Sequence, residues 1–242
     1  MIFYRRLTPF KAISFDLDDT LYSNAPIMQA TELKMIEYFS SSLASLAKVN
    51  CQNISFSNRY WFTFRQQALG INPDLRHDVA ALRLVCYTLG IQALGVSLIE
   101  AKEQARLALE YFTRERSAFS LPENTHLFLQ QLAKSLPLVA ITNGNVDVEA
   151  IGLKKYFTSI YHAGNGVKQK PDSQMFNLAC QKLNIRPGQL LHVGDCGHAD
   201  ISGAVKAGCQ AAWLSSYKVG KPLKILPHIK LERVDELLNL VG

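Results

Sequence analysis

The stretch Ala12-Ile-Ser-Phe-Asp-Leu-Asp-Asp-Thr-Leu21 places three carboxylates, Asp16, Asp18 and Asp19, directly after a run built to be buried. Residues 12–15 read as a short core strand, and Leu17 and Leu21 continue its apolar character. Acidic side chains this close repel one another and lose hydration as they approach a core. A divalent cation is the natural compensation.

Outward from that strand, two kinds of sequence follow. Short β-like apolar runs recur at 137–142, 159–163, 190–194 and 210–214. Between the later ones lie helical patterns at 122–135, about 146–155, 172–184 and 199–207, with Gly208 placed to end the last. Strand–helix–strand alternation predicts an α/β fold, a Rossmann-like parallel sheet with right-handed crossovers and helices on both faces. Active sites in such sheets lie at the carboxyl ends of the strands. Residues 24–118 differ: helical patterns near 27–48, 56–70, 74–90 and 97–118, with no convincing strand. We expect an inserted all-helical cap domain over 24–118, a catalytic core of 1–23 and 119–242, and hinges near 22–26 and 113–121. The final segment, 221–242, reads as a turn and an amphipathic docking helix.

Composition narrows the function classes. Hydrophobic residues make up 48% of the 242-residue chain, which excludes a disordered protein. No run approaches the roughly 18 apolar residues of a membrane helix. The N-terminus lacks a sustained apolar region of the signal-peptide kind, so a cytoplasmic protein is expected, without a membrane partner. The five cysteines form no C-x-x-C pair and leave an odd count, against a disulfide framework or zinc knuckle. The net charge of +6 comes from Lys and Arg spread along the chain, a solvated mixed surface rather than a nucleic-acid interface.

Four polar elements fall at the predicted strand ends: Asp16-Leu-Asp18-Asp19-Thr20, Thr142-Asn143-Gly144-Asn145, Lys168-Gln-Lys170-Pro171-Asp172 and Gly194-Asp195-Cys-Gly-His-Ala-Asp200. Together, in this order, the set resembles the haloacid dehalogenase superfamily of phosphohydrolases. Its D-x-D-x-T pattern matches Asp16, Asp18 and Thr20; its second-motif threonine matches Thr142; its lysine before proline matches Lys170; its G-D-x(3,4)-D matches Gly194, Asp195 and Asp200. The resemblance implies a Mg²⁺-dependent phosphomonoester hydrolase. Asp16 would be the nucleophile that becomes an aspartyl-phosphate, and Asp18 the acid/base group. Asp16, the Asp18 backbone carbonyl and Asp195 would bind Mg²⁺. Thr142, Asn143 and Lys170 would bind phosphate, with Asp200 orienting the site from behind or capping a helix.

The physical chemistry runs parallel. Phosphoryl transfer needs an in-line nucleophile, a group for the leaving-group proton and positive charge around the transferred oxygens. A carboxylate at Asp18 favours phosphoryl transfer over carbon–halogen hydrolysis, because a departing halide needs no proton. Asp19 reads as a turn or capping acid. His192, in an apolar strand, reads as a satisfied core histidine.

More narrowly, Phe-Asp-Leu-Asp-Asp-Thr-Leu-Tyr, Leu-Val-Ala-Ile-Thr-Asn-Gly-Asn and Leu-His-Val-Gly-Asp resemble bacterial phosphatases of riboflavin metabolism. That implies 5-amino-6-(5-phospho-D-ribitylamino)uracil or FMN as the small phosphorylated substrate. Arg59, Trp61, His77, Asp78 and Arg83 are candidate cap contacts, each with a bland alternative as cap core or surface. The pair His77-Asp78 invites an HD-type metallophosphohydrolase reading, which the lack of another histidine before His126 disfavours. A sugar-phosphate phosphatase, a phosphomutase and a non-catalytic ligand- or protein-binding module are the alternatives, and a monomer or weak dimer is expected.

Overall fold

The computed structural model describes residues 1–44, 46, 54–217 and 220–241. The sheet has seven strands: β1 (Ile2–Phe3), β2 (Ala12–Phe15), β3 (Leu138–Thr142), β4 (Ser159–His162), β5 (Leu190–Gly194), β6 (Gln210–Leu214) and β7 (Ile229–Leu231), in the order β1-β7-β6-β5-β2-β3-β4. Every pairing is parallel except that of β1 with β7. The expected α/β fold is present. Strands β2, β3 and β5 are buried along their whole length, as their continuous apolar runs require when both faces are covered.

β2 lies at the centre, between β3 and β5; Phe15 pairs with Ala140 on one side and Val193 on the other. The sheet hydrogen bonding runs one residue further, with the Asp16 amide donating to the Val193 carbonyl at 2.9 Å. Residues that leave these three strands therefore emerge side by side at one carboxyl edge.

Two compact units share the chain. One comprises Met1–Asn24, Ser120–Gly144 and Val148–Gly242; it carries the sheet. The other comprises Ala25–Phe119 and Asn145–Asp147. It is built from α1 (Asn24–Ser42), α2 (Asn58–Ile71), α3 (Val79–Gln92) and α4 (Leu98–Arg116), the inserted all-helical domain of the expected fold. Its core is aromatic: the Phe39 ring meets Trp61 at 4.5 Å, Tyr87 at 4.9 Å and Phe56 at 5.8 Å between centroids. The sheet unit adds α5 (Glu123–Ser135), α6 (Gln174–Leu183) and the short α7 (Gly203–Lys206).

Three local expectations are corrected. No helix spans 146–155: the chain turns at Gly152 (φ +72°) and forms only a 3₁₀ turn at Lys154–Tyr156. Apolar spacing there mimics a helix, but a left-handed glycine ends any such run. The last segment forms β7 and a 3₁₀ turn, Val234–Leu240, in place of a docking helix. Residues 199–207 are split: a π-helical turn at Gly197–Ser202 precedes α7. No described helix is long and apolar enough to cross a membrane.

Candidate active site

Leaving β2, the Leu17 carbonyl accepts the amides of Thr20 and Leu21 at 3.2 and 2.9 Å, so the chain turns at once. Asp19 takes the left-handed conformation (φ +54°) that this turn needs, and its Oδ1 accepts the first amide of α1, from Asn24, at 2.8 Å. It is a turn and capping acid. Asp18 is half-buried, and its Oδ1 accepts from the Tyr22 hydroxyl at 2.7 Å.

The turn leaves Asp16 at the strand's mouth, 8% exposed, where it meets Lys170. The Lys170 ammonium lies 2.7 Å from Asp16 Oδ1 and 2.7 Å from Asp200 Oδ1, and donates its remaining proton to the Ile141 carbonyl. All three ammonium donors are engaged. Burial works against the Lys170 charge, but the two carboxylates outweigh it and raise its pKa. Lys168, by contrast, is exposed, 4.0 Å from Asp172.

Asp200 is held on every side. Besides Lys170, its Oδ1 lies 3.2 Å from His192 Nε2, and its Oδ2 accepts the Cys196 amide at 2.9 Å. Burial alone would raise its pKa, yet Lys170 and His192 bring it well below the carboxylate range. His192 sits in β5 with its other nitrogen 2.9 Å from the Ser14 hydroxyl. Both ring nitrogens are satisfied, and burial holds its pKa down, so the ring is neutral. The π-helical turn has a spacing logic: four residues separate Asp195 from Asp200, and the Ile201 amide reaches back to the Cys196 carbonyl at 3.2 Å. This widened turn brings Asp200 back over β5, so close to Gly194 that a Cβ there would stand 2.3 Å from Asp200 Cγ. Asp200 is thus inside the turn; the residue that caps it is Cys196.

Oxygens of Asp16, Asp195 and Asp200 lie within 4.8 Å of one another. Burial pushes Asp16 up to about 7, with Lys170 opposing and Asp200 and Asp18 adding. Burial also pushes Asp195 up to about 8, reinforced by Asp200 and Asp16. One ammonium among three carboxylates leaves the cluster short of positive charge. A purely oxygen donor set of this size suits a hard divalent cation, so such an ion fits the residues present.

Thr142, 1% exposed, ends β3, and its Oγ1 accepts the Gly144 amide at 3.0 Å. The Asn143 carboxamide is committed to the Lys170 backbone: Oδ1 accepts its amide at 2.8 Å and Nδ2 donates to its carbonyl at 3.0 Å. This pair of bonds fixes the loop from which Lys170 reaches inward. The cleft, about 350 Å³, is lined by Asp16, Asp18, Thr142, Asn143, Lys170, Asp195 and Asp200, and also by Cys196, Gly220 and Lys221.

Those last residues, and the bond from His192 to Asp200, were not read from the sequence. Gly220 lies so close that a Cβ would stand 2.6 Å from Asp195 Oδ2, and Trp213 Nε1 donates to the Asp195 carbonyl at 2.8 Å. The sequence Lys218-Val-Gly-Lys221 carries no motif that would have marked Gly220 and Lys221. Of the cap candidates, Trp61 and Arg83 line a common cavity in the helical unit. Asp78 caps α3, accepting the amides of Ala80 and Ala81. Arg59 is exposed, and His77 Nε2 lies 3.2 Å from Arg76 Nε.

Residues 10–208 match the model of the haloacid dehalogenase-like hydrolases. Over 100% of both chains, the sequence is 37% identical to the Escherichia coli K12 protein named 5-amino-6-(5-phospho-D-ribitylamino)uracil phosphatase YigB. It is 24% identical to human N-acylneuraminate-9-phosphatase, covering 97% of this chain and 95% of that one. Among solved structures, one described as a 2-haloacid dehalogenase from Pseudomonas syringae pv. tomato DC3000 superposes with a TM-score of 0.85 at 28% identity, over 96% of this chain and 97% of that one. Matched by the family model over residues 10–208 and similar along its length to proteins named phosphatases, the chain is a phosphatase that belongs to the haloacid dehalogenase-like hydrolases.

Proposed function

We propose that this phosphatase works through an aspartyl-phosphate on Asp16 with Mg²⁺ as its cation, and that its substrate is 5-amino-6-(5-phospho-D-ribitylamino)uracil, with FMN as a second. The observation that carries the mechanism is the Lys170 ammonium, 2.7 Å from both Asp16 and Asp200 beside the Asp195 carboxylate. A buried nucleophile beside a fixed cation, next to an oxygen cluster, is the arrangement that phosphoryl transfer requires.

Asp16 and Asp195 would hold Mg²⁺ with the Asp18 carbonyl. Both Asp200 oxygens are already bonded to Lys170, His192 and the Cys196 amide, which suits Asp200 to orienting rather than ligation. When bound, the cation neutralises phosphate charge, so that carboxylate and phosphorus can approach. Asp16 attacks phosphorus in line; its carboxylate oxygen forms the new P–O bond as the ester bond breaks. Asp18 gives its proton to the departing alkoxide and then takes one from the water that opens the aspartyl-phosphate. Thr142 would donate its hydroxyl and Lys170 would lend its positive charge to the non-bridging oxygens, and Asn143 keeps the Lys170 loop in register. The helical domain would act as a cap that excludes water during transfer.

The substrate assignment is supported by the full-length similarity to the ribitylaminouracil phosphatase. A screen of phosphate release with Mg²⁺ tests it, covering the ribitylaminouracil phosphate, FMN, phosphoglycolate, N-acylneuraminate 9-phosphate and common sugar phosphates. The expected result is highest kcat/KM for the ribityl compounds; preference for an unrelated ester overturns the substrate. Stoichiometric inorganic phosphate excludes a mutase. Asp16→Asn should abolish turnover with the fold intact, and retained turnover would remove Asp16 as nucleophile.

A further inference from the structure

The helical unit contains a cavity of its own, about 280 Å³, walled by Met28, Phe56, Trp61, Tyr87 and Phe112 and carrying Arg83 and Glu32 as its charged groups. A second cavity of about 270 Å³ shares Asn58, Trp61, Arg83 and Tyr87 with it. Arg83 is poorly matched to a merely structural role. Its guanidinium stacks on the Phe112 ring, 3.6 Å from the centroid, and its Nη1 reaches the Tyr87 hydroxyl at 3.3 Å. Its Nε is buried without an acceptor, and it has no carboxylate partner among the described residues. Arg83 as a whole is only partly buried, so its terminal nitrogens, which no described carboxylate holds, can take an acceptor from a ligand in the cavity.

The other wall constrains what that something is. The two Glu32 oxygens accept from the Asn58 amide at 3.0 Å and from Asn58 Nδ2 at 2.8 Å, which fixes the carboxylate and leaves it further lone pairs. A ligand carboxylate drawn to Arg83 would meet Glu32 in the same cavity. A neutral ring with carbonyl acceptors for Arg83 and N–H donors for Glu32 satisfies both. The aromatic walls favour a flat ring by stacking. Trp61 is itself held in place, with Nε1 donating to the Phe56 carbonyl at 3.0 Å and its ring against Gly90.

We propose that this cavity is a binding site for a flat heterocycle of alternating carbonyl and N–H groups, of the pyrimidinedione or isoalloxazine class, recognised by Arg83 and Glu32 between aromatic walls. The choice of ring probes rests on the substrate proposed above; the case for a site rests on the helical unit alone.

Calorimetry on the full chain, with chelator present and no phosphate ester, tests it using uracil, riboflavin and ribitol. Uracil or riboflavin should bind and ribitol should not. Arg83→Met should weaken ring binding by about tenfold or more, and Glu32→Gln should weaken it less. Absence of heat with either ring, or Arg83→Met binding like the wild type with an unchanged circular dichroism spectrum, overturns the site. Should Arg83→Met not fold, Arg83→Lys replaces it, since a point charge cannot reproduce a planar fork; unweakened ring binding then counts equally against the proposal. Ring binding that persists in a protein whose preferred ester carries no such ring would reject the substrate proposal and leave the site standing.

Discussion

Lys170 and Asp18 show how differently two site residues depend on their surroundings. Lys170 is 2% exposed, and its three donors hold Asp16, Asp200 and a backbone carbonyl. Lys170→Met leaves two buried carboxylates facing each other with no cation between them. Breaking a buried pair from one side costs about 3–5 kcal/mol, so the variant should lose activity and also show a lowered denaturation midpoint at constant slope. An unchanged midpoint would mean that the ammonium has no structural role. Asp18 is half-buried, and its carboxylate accepts from Tyr22 while the three Lys170 donors go elsewhere. Asp18→Asn should therefore leave the midpoint nearly fixed while kcat falls roughly 10²–10⁴-fold, with phosphoprotein accumulating on acid quench; wild-type turnover would remove it from proton transfer. Strand-end placement made Asp16, Thr142, Lys170 and Asp195 visible in sequence, because each follows an apolar run or precedes a proline. The bond between His192 and Asp200 was invisible, since it joins a strand residue to a turn whose π-helical pitch no residue type announces.

At the scale of elements, buried parallel strands were legible because both faces are apolar: the expected runs at 137–142, 190–194 and 210–214 become β3, β5 and β6 within a residue. β1 and β7 were not, because two- and three-residue strands exist only through pairing with distant segments, Ile2 with Lys230 and Trp213 with Lys230. The helix expected over 146–155 failed for the opposite reason, a local pattern broken by one backbone conformation at Gly152. Gly90 in α3 offers a test of which influence dominates within an element. Alanine is favoured over glycine in a helix by about 1 kcal/mol. Its Cβ would nevertheless stand 2.4 Å from the Trp61 ring, which is wedged against Phe39 and Tyr87. Overpacking of this kind costs about 1–3 kcal/mol, so Gly90→Ala should lower the melting temperature despite the better propensity. A raised melting temperature would show that Trp61 has room to move.

For the whole molecule, the carboxylate cluster sets function against stability. Asp16, Asp195 and Asp200 crowd around a single ammonium, and burial and mutual repulsion oppose ionisation of Asp16 and Asp195. Without a cation this arrangement strains the sheet unit; with one, the Asp16 and Asp195 oxygens would serve as ligands. A ligand that binds only the folded state at a hundred times its dissociation constant stabilises by about 2.7 kcal/mol. For a chain of this size that is roughly 5–10 °C. Mg²⁺ should therefore raise the melting temperature by that amount, and chelator should reverse it. Asp195→Asn separates the two effects. It replaces a carboxyl whose ionisation burial and its neighbours oppose with a neutral amide, so in chelator the variant should melt at or above the wild type. In saturating Mg²⁺ it should show little shift and fall below it. A variant that melts below the wild type in chelator would show that Asp195 supports the fold itself, and an undiminished Mg²⁺ shift would place the cation elsewhere.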